Sequence, residues 1–226
     1  MKKKLVIITG AGISAESGIS TFRDSNGLWN NYRIEDVASL EGWIKDPKLV
    51  LDFYNKRRRQ LEYCQPNAGH IGLKGMERDF DVHIITQNID DLHERAGSTN
   101  VLHLHGELTK ACDEFKTIVK NIFYNDINLG DQLGNTQMRP FIVWFGEPVP
   151  AIEEAIQIVQ SADIVVVIGS SLQVYPAAGL VDYTPDNVPI YLIDPQDVPT
   201  NRNIHFIHKC ASEGVTELWQ ILKNKI

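Results

Sequence analysis

Cysteine is scarce in this chain. The three present, Cys64, Cys112 and Cys210, are odd in number and far apart. They do not make a disulfide framework, and such usage points to a reducing cytoplasm. Basic residues are in the minority: 22 Lys and Arg face 29 Asp and Glu, for a formal net charge of −7 and a pI near 5.5. That balance excludes the broad basic footprint that nucleic-acid binding needs. Long apolar runs are missing too, and nothing approaches the roughly 20 consecutive apolar residues of a membrane span. The N-terminal MKKKLVIITGAGISAES imitates a secretory signal in outline, but its apolar part, Leu5 to Ile8, is cut short by Thr9 and Gly10. No repeat, low-complexity tract or flexible linker is present. These absences leave a soluble protein read as a single domain over 1–226, with no membrane or nucleic-acid partner.

Apolar, β-branched runs recur: LVIIT (5–9), VHIIT (82–86), FIVWF (141–145), IVVVI (164–168) and IYLI (190–193). Their hydrophobicity is continuous rather than alternating, which marks strands of a parallel sheet covered on both faces. Helical patterns lie between them. In DPKLVLDFYNKRRRQLEYC, Asp46 is placed as N-cap with Pro47 at the first helical position. PAIEEAIQIVQSA (150–162) and SEGVTELWQILKN (212–224) carry apolar residues three and four apart. The alternation predicts a doubly wound α/β fold. Residues 20–80, helical without a convincing strand, and the mixed polar stretch 107–138 interrupt it. Both read as insertions at the sheet edge, with a ligand cleft beside them.

Chemistry-bearing motifs cluster at the expected strand ends. In IITGAGISAESGI, Gly10 and Gly12 follow a strand, so the backbone can approach a pyrophosphate while the next helix offers its N–H groups. No acidic residue ends a second strand about 20 positions on, so a dinucleotide is not held here in the dehydrogenase manner. In IITQNIDDLHERAG, Gln87, Asn88, Asp90 and Asp91 crowd a strand's C-terminal end, one aspartate being expected as a helix N-cap. In VLHLHGEL, His103 and His105 share a face. A histidine there serves first as a general base, second as a metal ligand with Cys112, third as a satisfied core residue. Gly169, Ser170 and Ser171, at another strand–helix junction, offer backbone and hydroxyl donors to a phosphate.

The linked set GAGISAESGISTFRDSNGLW, TQNID, HLHGEL, RPFIVWFGE, GSSLQVYPAAGL and ASEGV resembles the sirtuins, NAD-dependent protein-lysine deacylases, over nearly the whole chain. The resemblance implies a Rossmann-like NAD-binding part (1–30, 81–106 and 139–226), a helical insertion (31–80) and a reduced small module (107–138). By motif position it implies His105 as general base and Gln87, Asn88, Ile89 and Asp90 around nicotinamide and its ribose. Gly10, Ala11, Gly12, Phe22 and Arg23 fall in the cofactor loop; Gly169, Ser170, Ser171 and Asp194 meet phosphate or ribose, and Ala211 the adenine. The backbone of Val143, Phe145, Gly146 and Glu147 pairs with an acyl-lysine peptide. Most sirtuins hold zinc with two C-x-x-C pairs between HGEL and RP. This chain has only Cys112 there, so no zinc is expected, and FKTIVKNIFY (115–124) is expected to pack in its place. Rival readings keep the NAD chemistry but change the outcome: ADP-ribosyl transfer, NAD hydrolysis, or a catalytically silent NAD sensor.

One further feature stands out in an acidic chain: four consecutive cations, Lys56 to Arg59, directly after two aromatics and Asn55. Helical spacing puts Tyr54 beside Arg57 or Arg58, with Leu49, Val50, Phe53 and Leu61 buried and Lys56 and Arg59 facing water. Geometry does not choose between the two arginines. The resemblance does, because Tyr-x-x-Arg in sirtuins accompanies removal of succinyl and malonyl groups. It therefore implies Tyr54 and Arg57 as the acyl-carboxylate pair, with Ala38 widening the channel.

Overall fold

The protein was analysed as a computed structural model that describes residues 2–20 and 32–224. In chain order the elements are β1 (Lys4–Thr9), α1 (Gly12–Ala15), α2 (Ile34–Val37), α3 (Leu40–Lys45), α4 (Pro47–Tyr63), α5 (Ala68–Met76), β2 (Asp81–Thr86), α6 (Leu92–Arg95) and β3 (Val101–His103). They continue with β4 (Gly106–Cys112), β5 (Val119–Asn121), β6 (Gln132–Leu133), β7 (Thr136–Gln137), β8 (Arg139–Ile142), α7 (Ile152–Gln160), β9 (Ile164–Ile168), β10 (Ile190–Ile193), β11 (Ile204–Ile207) and α8 (Ala211–Lys223). Six strands form a parallel sheet in the order β11-β10-β9-β1-β2-β3. With the small-sheet strands set aside, this is the 3-2-1-4-5-6 order of dinucleotide-binding folds, and the sheet is Rossmann-like. Among the described residues, no helix is long and apolar enough to cross a membrane.

The continuous hydrophobicity of the strands is explained by cover on both faces. Leu5 and Ile7 join a core with Leu73 and Met76 of α5 and Val215, Leu218 and Leu222 of α8. Val6 and Ile8 turn to the opposite core, against Ala155 and Val159 of α7 and Leu180 and Val181. Each such aliphatic side chain contributes about 1.5–3 kcal/mol on burial. The helices start where their caps predict: Asp46 accepts the Leu49 N–H at 3.0 Å with Pro47 in the first turn of α4.

The structure redraws the fold in four places. FIVWF does not enter the parallel sheet: β8 pairs antiparallel with β4 in a separate three-stranded sheet with β5. An apolar run signals a buried strand without saying which sheet it joins. The edge strand β11 carried no continuous apolar run; its residues alternate in exposure. Not all of 31–80 is an insertion, since α5 packs on the parallel sheet beside α8 while α2–α4 share a third core with the small sheet. Finally, Phe115 and Phe123 are 73% and 65% exposed, and Ile118 and Val119 are exposed as well. Only Ile122, Tyr124 and the neighbouring Ile127 pack inward. FKTIVKNIFY is thus not the apolar plug expected of it, because β5 is an edge strand of a two-faced small sheet.

Polar ties hold that module instead. Asn55 on α4 accepts the Ile127 N–H at 3.0 Å and donates to the Ile127 carbonyl at 2.9 Å. The fully buried Arg58 donates through Nε to the Leu108 carbonyl (2.8 Å) and through Nη1 to Asn55 Oδ1 (2.7 Å). Arg59 pairs with Asp126 at 2.5 Å. Asp113 shapes the loop after β4 by accepting from Ile118 N–H and Thr117 Oγ1.

Candidate active site

Strand register assembles the site. Thr9 lies beside Thr86 and Ile168, and Ile168 beside Ile193, so the residues after β1, β2, β9 and β10 emerge along one edge. The strand order reverses between β1 and β9, where such sheets open a ligand crevice. There the backbones of Gly12 and Gly169 touch. Gly12 N–H donates to Gly169 O at 2.9 Å and Gly10 N–H to Ile168 O at 3.0 Å. A Cβ on Gly12 would sit 2.5 Å from Gly169 Cα, and Gly169 has φ +60°. The two loop glycines therefore spend their amides joining strand ends, instead of presenting them to a phosphate. Nor does a long helix follow: α1 is four residues, with Ala11 at its N-cap. Gly169–Ser171 likewise lead into a loop, and the next helix, a 3-10 turn, begins only at Ala177. Phe22 and Arg23 lie outside the described residues.

Asn88 and Asp90 are buried at the base of the crevice. The Asn88 amide donates to Gly10 O (3.1 Å) and Ser14 Oγ (3.2 Å), while Ser14 Oγ donates to Asp90 Oδ2 (3.0 Å). Leu92 N–H completes the aspartate's shell at 3.2 Å. Burial raises the Asp90 pKa, opposed by the Leu92 and Ser14 hydrogen bonds and the charge of His103. Asp91 takes the N-cap position of α6 without capping it through its side chain, which accepts instead from Tyr124 Oη at 2.8 Å; the helix's Leu92 N–H goes to Asp90. Ser14, fully buried between Asn88 and Asp90, was missed from sequence; a hydroxyl two residues past the second glycine was its signal.

The Gln87–Ile89 strip is gripped carbonyl by carbonyl. His105 Nδ1 lies 2.9 Å from Gln87 O, His103 Nδ1 lies 2.9 Å from Asn88 O, and Leu108 N–H donates to Ile89 O at 2.7 Å. A carbonyl only accepts, so Nδ1 of His105 carries its proton and the basic lone pair sits on Nε2. Burial lowers the His105 pKa, opposed by the Gln87 hydrogen bond, and the net shift favours the neutral ring. His103 is held on both nitrogens, its Nε2 2.9 Å from Glu94 Oε1. The metal alternative does not assemble: among the described residues no three potential ligands converge, and Cys112 points its thiol at Pro140 O. Nearby, Gln87 Nε2 donates to Ser170 Oγ at 3.0 Å. Asp194 accepts the Gln196 N–H at 2.9 Å, and Ala211 opens α8.

The arginines separate cleanly. Arg58 is spent on the Leu108 carbonyl, whereas Arg57 lines a small cavity with Ile19, Gln60, Ile89, Asp90 and Leu108. Burial lowers the Arg57 pKa, opposed by Tyr54 and Asp90. Tyr54 is buried, its pKa pushed up to about 12 by desolvation, and its oxygen accepts from Trp144 Nε1 at 2.9 Å. Lys56 reaches Tyr32 Oη at 2.8 Å on the exposed face. Phe145 N–H donates to Ala38 O at 2.9 Å, tying VWFGE to the α2–α3 turn. Val143 N–H donates to His105 O, and Trp144 N–H to Glu147 Oε2. Glu147 turns inward to Arg139 (2.9 Å) and Lys116 (2.8 Å), so its carboxylate anchors the loop.

A switch-point crevice walled by glycine-packed strand ends, with a histidine and a buried amide–carboxylate pair on one edge, places this chain among proteins with a Rossmann-like α/β fold. The family model of the Sir2 family matches residues 10–176. The chain is 55% identical to the NAD-dependent protein deacylase of Bacteroides thetaiotaomicron, over 97% of this chain and 98% of that protein. It is 49% identical to the NAD-dependent protein deacylase of Helicobacter pylori, over 99% and 97%. Among solved structures, a Sir2 homologue–NAD complex superposes with a TM-score of 0.89 at 36% identity, over 99% of this chain and 91% of that one. The chain belongs to the Sir2 family.

Proposed function

We propose that this protein removes acyl groups from protein lysines at the expense of NAD, releasing nicotinamide and O-acyl-ADP-ribose, and that succinyl and malonyl groups are among its substrates. Family membership and the deacylase relatives support the NAD-dependent deacylase part. The observation that carries the site reading is His105, with Nδ1–H fixed by Gln87 O and Nε2 free to take a proton at neutral pH.

The crevice suits NAD on its own chemistry. Side chains at Gly10 or Gly12 would collide with the Gly169–Ser170 backbone, so the strand ends close up into a shared wall. Buried Asn88, through its amide oxygen, and Asp90, through its carboxylate, face nicotinamide and its ribose together with Gln87 and Ile89. Ala11, Gly169, Ser170 and Ser171 would face the phosphates, Asp194 the adenosine ribose and Ala211 the adenine. When bound, NAD would supply a ribose carbon for the acyl-lysine oxygen to attack, with nicotinamide as leaving group. His105 Nε2 would take the proton of a ribose hydroxyl, so that the acyl group ends on ADP-ribose and the lysine amine is freed. Val143 O and Gly146 N–H pair with the acyl-lysine backbone, and Ala38 leaves room for the acyl chain.

Arg57 gives the acidic-acyl preference. Its guanidinium binds a distal carboxylate as a fork, and the Tyr54 hydroxyl, already accepting from Trp144, keeps its own hydrogen to donate. Each charge-assisted hydrogen bond contributes about 1.5–3 kcal/mol, roughly a ten- to hundredfold preference. The test is a panel of acetyl-, malonyl- and succinyl-lysine peptides with NAD. Arg57→Met should cut succinyl turnover at least tenfold more than acetyl turnover; equal losses would refute the assignment. Detection of ADP-ribosylated protein in place of O-acyl-ADP-ribose would refute deacylation itself.

No structural zinc is part of this proposal. Cys112 is a buried thiol whose pKa desolvation pushes up to about 11, which disfavours the thiolate a metal needs. The polar ties from α4 take over the anchoring.

A further inference from the structure

His103 stands two residues before the base and is held differently from it. Its ring is nearly covered, with Nδ1 2.9 Å from the Asn88 carbonyl and Nε2 2.9 Å from the Glu94 carboxylate. Both partners are pure acceptors, so both nitrogens must be protonated to donate. We infer that His103 works as a standing imidazolium, paired with Glu94, that positions the Asn88 peptide at the base of the crevice. It is a positioning residue, and its role rests on the reading of 87–90 as the nicotinamide–ribose site.

The surroundings agree on sign. Around His103 stand Glu94 and His93 of α6, Glu107 of β4, Asp90 and the Asn88 carbonyl, with Lys110 acting on Glu94 from further along β4. Burial alone would lower the His103 pKa, but the Glu94 hydrogen bond and charge, with Glu107 and Asn88, outweigh it and raise the value. Glu94 is shifted the opposite way: burial raises it, and the His103 bond and charge prevail and lower it. Asp90 is buried against ionisation, and His103 is among the groups that oppose this. His105, two residues on, is pushed down. One short strip thus holds a cation and a neutral base side by side, and environments that push two like groups apart divide their roles.

The charge is lost as pH rises through the raised His103 value, so the wild-type rate should have an alkaline limb set by His103 and an acid limb set by His105. Two measurements test this. Ring NMR of the full chain should show His103 protonated on both nitrogens at neutral pH and titrating above the ordinary histidine value. In Glu94→Gln that titration should fall by about 1–3 pH units, the usual effect of removing an adjacent opposite charge. Nicotinamide release with NAD and an acetyl-lysine peptide should show the alkaline limb falling by the same amount, with the acid limb in place. His103→Asn, which keeps a donor but loses the charge, should abolish that limb. A His103 that titrates at or below the ordinary value, or variant and wild-type limbs that coincide, would overturn the inference. A wild-type protein that releases no nicotinamide would instead defeat the deacylase reading, while the NMR titration would still decide the charge of His103.

Discussion

Arg57 and Arg58 are chemically identical neighbours, yet one faces a cavity beside Asp90 and the other is walled in against Leu108 O. Which is which depends on the helix face, and a run of four cations hides that face from a sequence reader. Asn55 drew no attention at all, since a lone asparagine in a helix usually points to water. Here it answers both backbone groups of Ile127 and one nitrogen of Arg58. Asn55→Ala leaves those three groups buried without partners, and urea denaturation should show a loss of about 3 kcal/mol. A loss no larger than that of an exposed substitution would mean that water replaces the amide.

Among the elements, β4 carries most of the coupling. It starts at Gly106, directly after the base, with φ +81° and a Cβ position 2.0 Å from Phe141 O. Glycine is the residue that fits there, because the left-handed backbone and the β8 carbonyl both reject a side chain. Gly106→Ala should cost about 3 kcal/mol or more and displace His105, lowering Tm and turnover together. Unchanged turnover would show that β4 and β8 can part without moving the base. The cap and proline at the start of α4 and the strand ends at Thr9, Thr86 and Ile168 were legible beforehand because they are local signals. The sheet that β8 joins was not, since the choice between a parallel and an antiparallel partner is made by distant residues.

Taken whole, the molecule ties its small module to α4 through polar groups. Asn55, Arg58 and Arg59 on α4 grip the module between β4 and β8, and the third core fills in behind them. Prolonged exposure to a strong zinc chelator should therefore leave Tm and deacylation unchanged; a fall in either would mean that the module depends on a metal after all. Chain order alone settles the strand–helix alternation and the glycine-edged strand ends. It also offers His105, Asn88 and Asp90 as candidates at those strand ends, since residue chemistry and motif spacing are written locally. Folding alone decides that Ser14 joins Asn88 to Asp90, that Arg58 is structural while Arg57 faces the cavity, and that two histidines two residues apart carry opposite protonation tendencies. Those outcomes turn on desolvation and on partners far away in the chain, which no local pattern encodes.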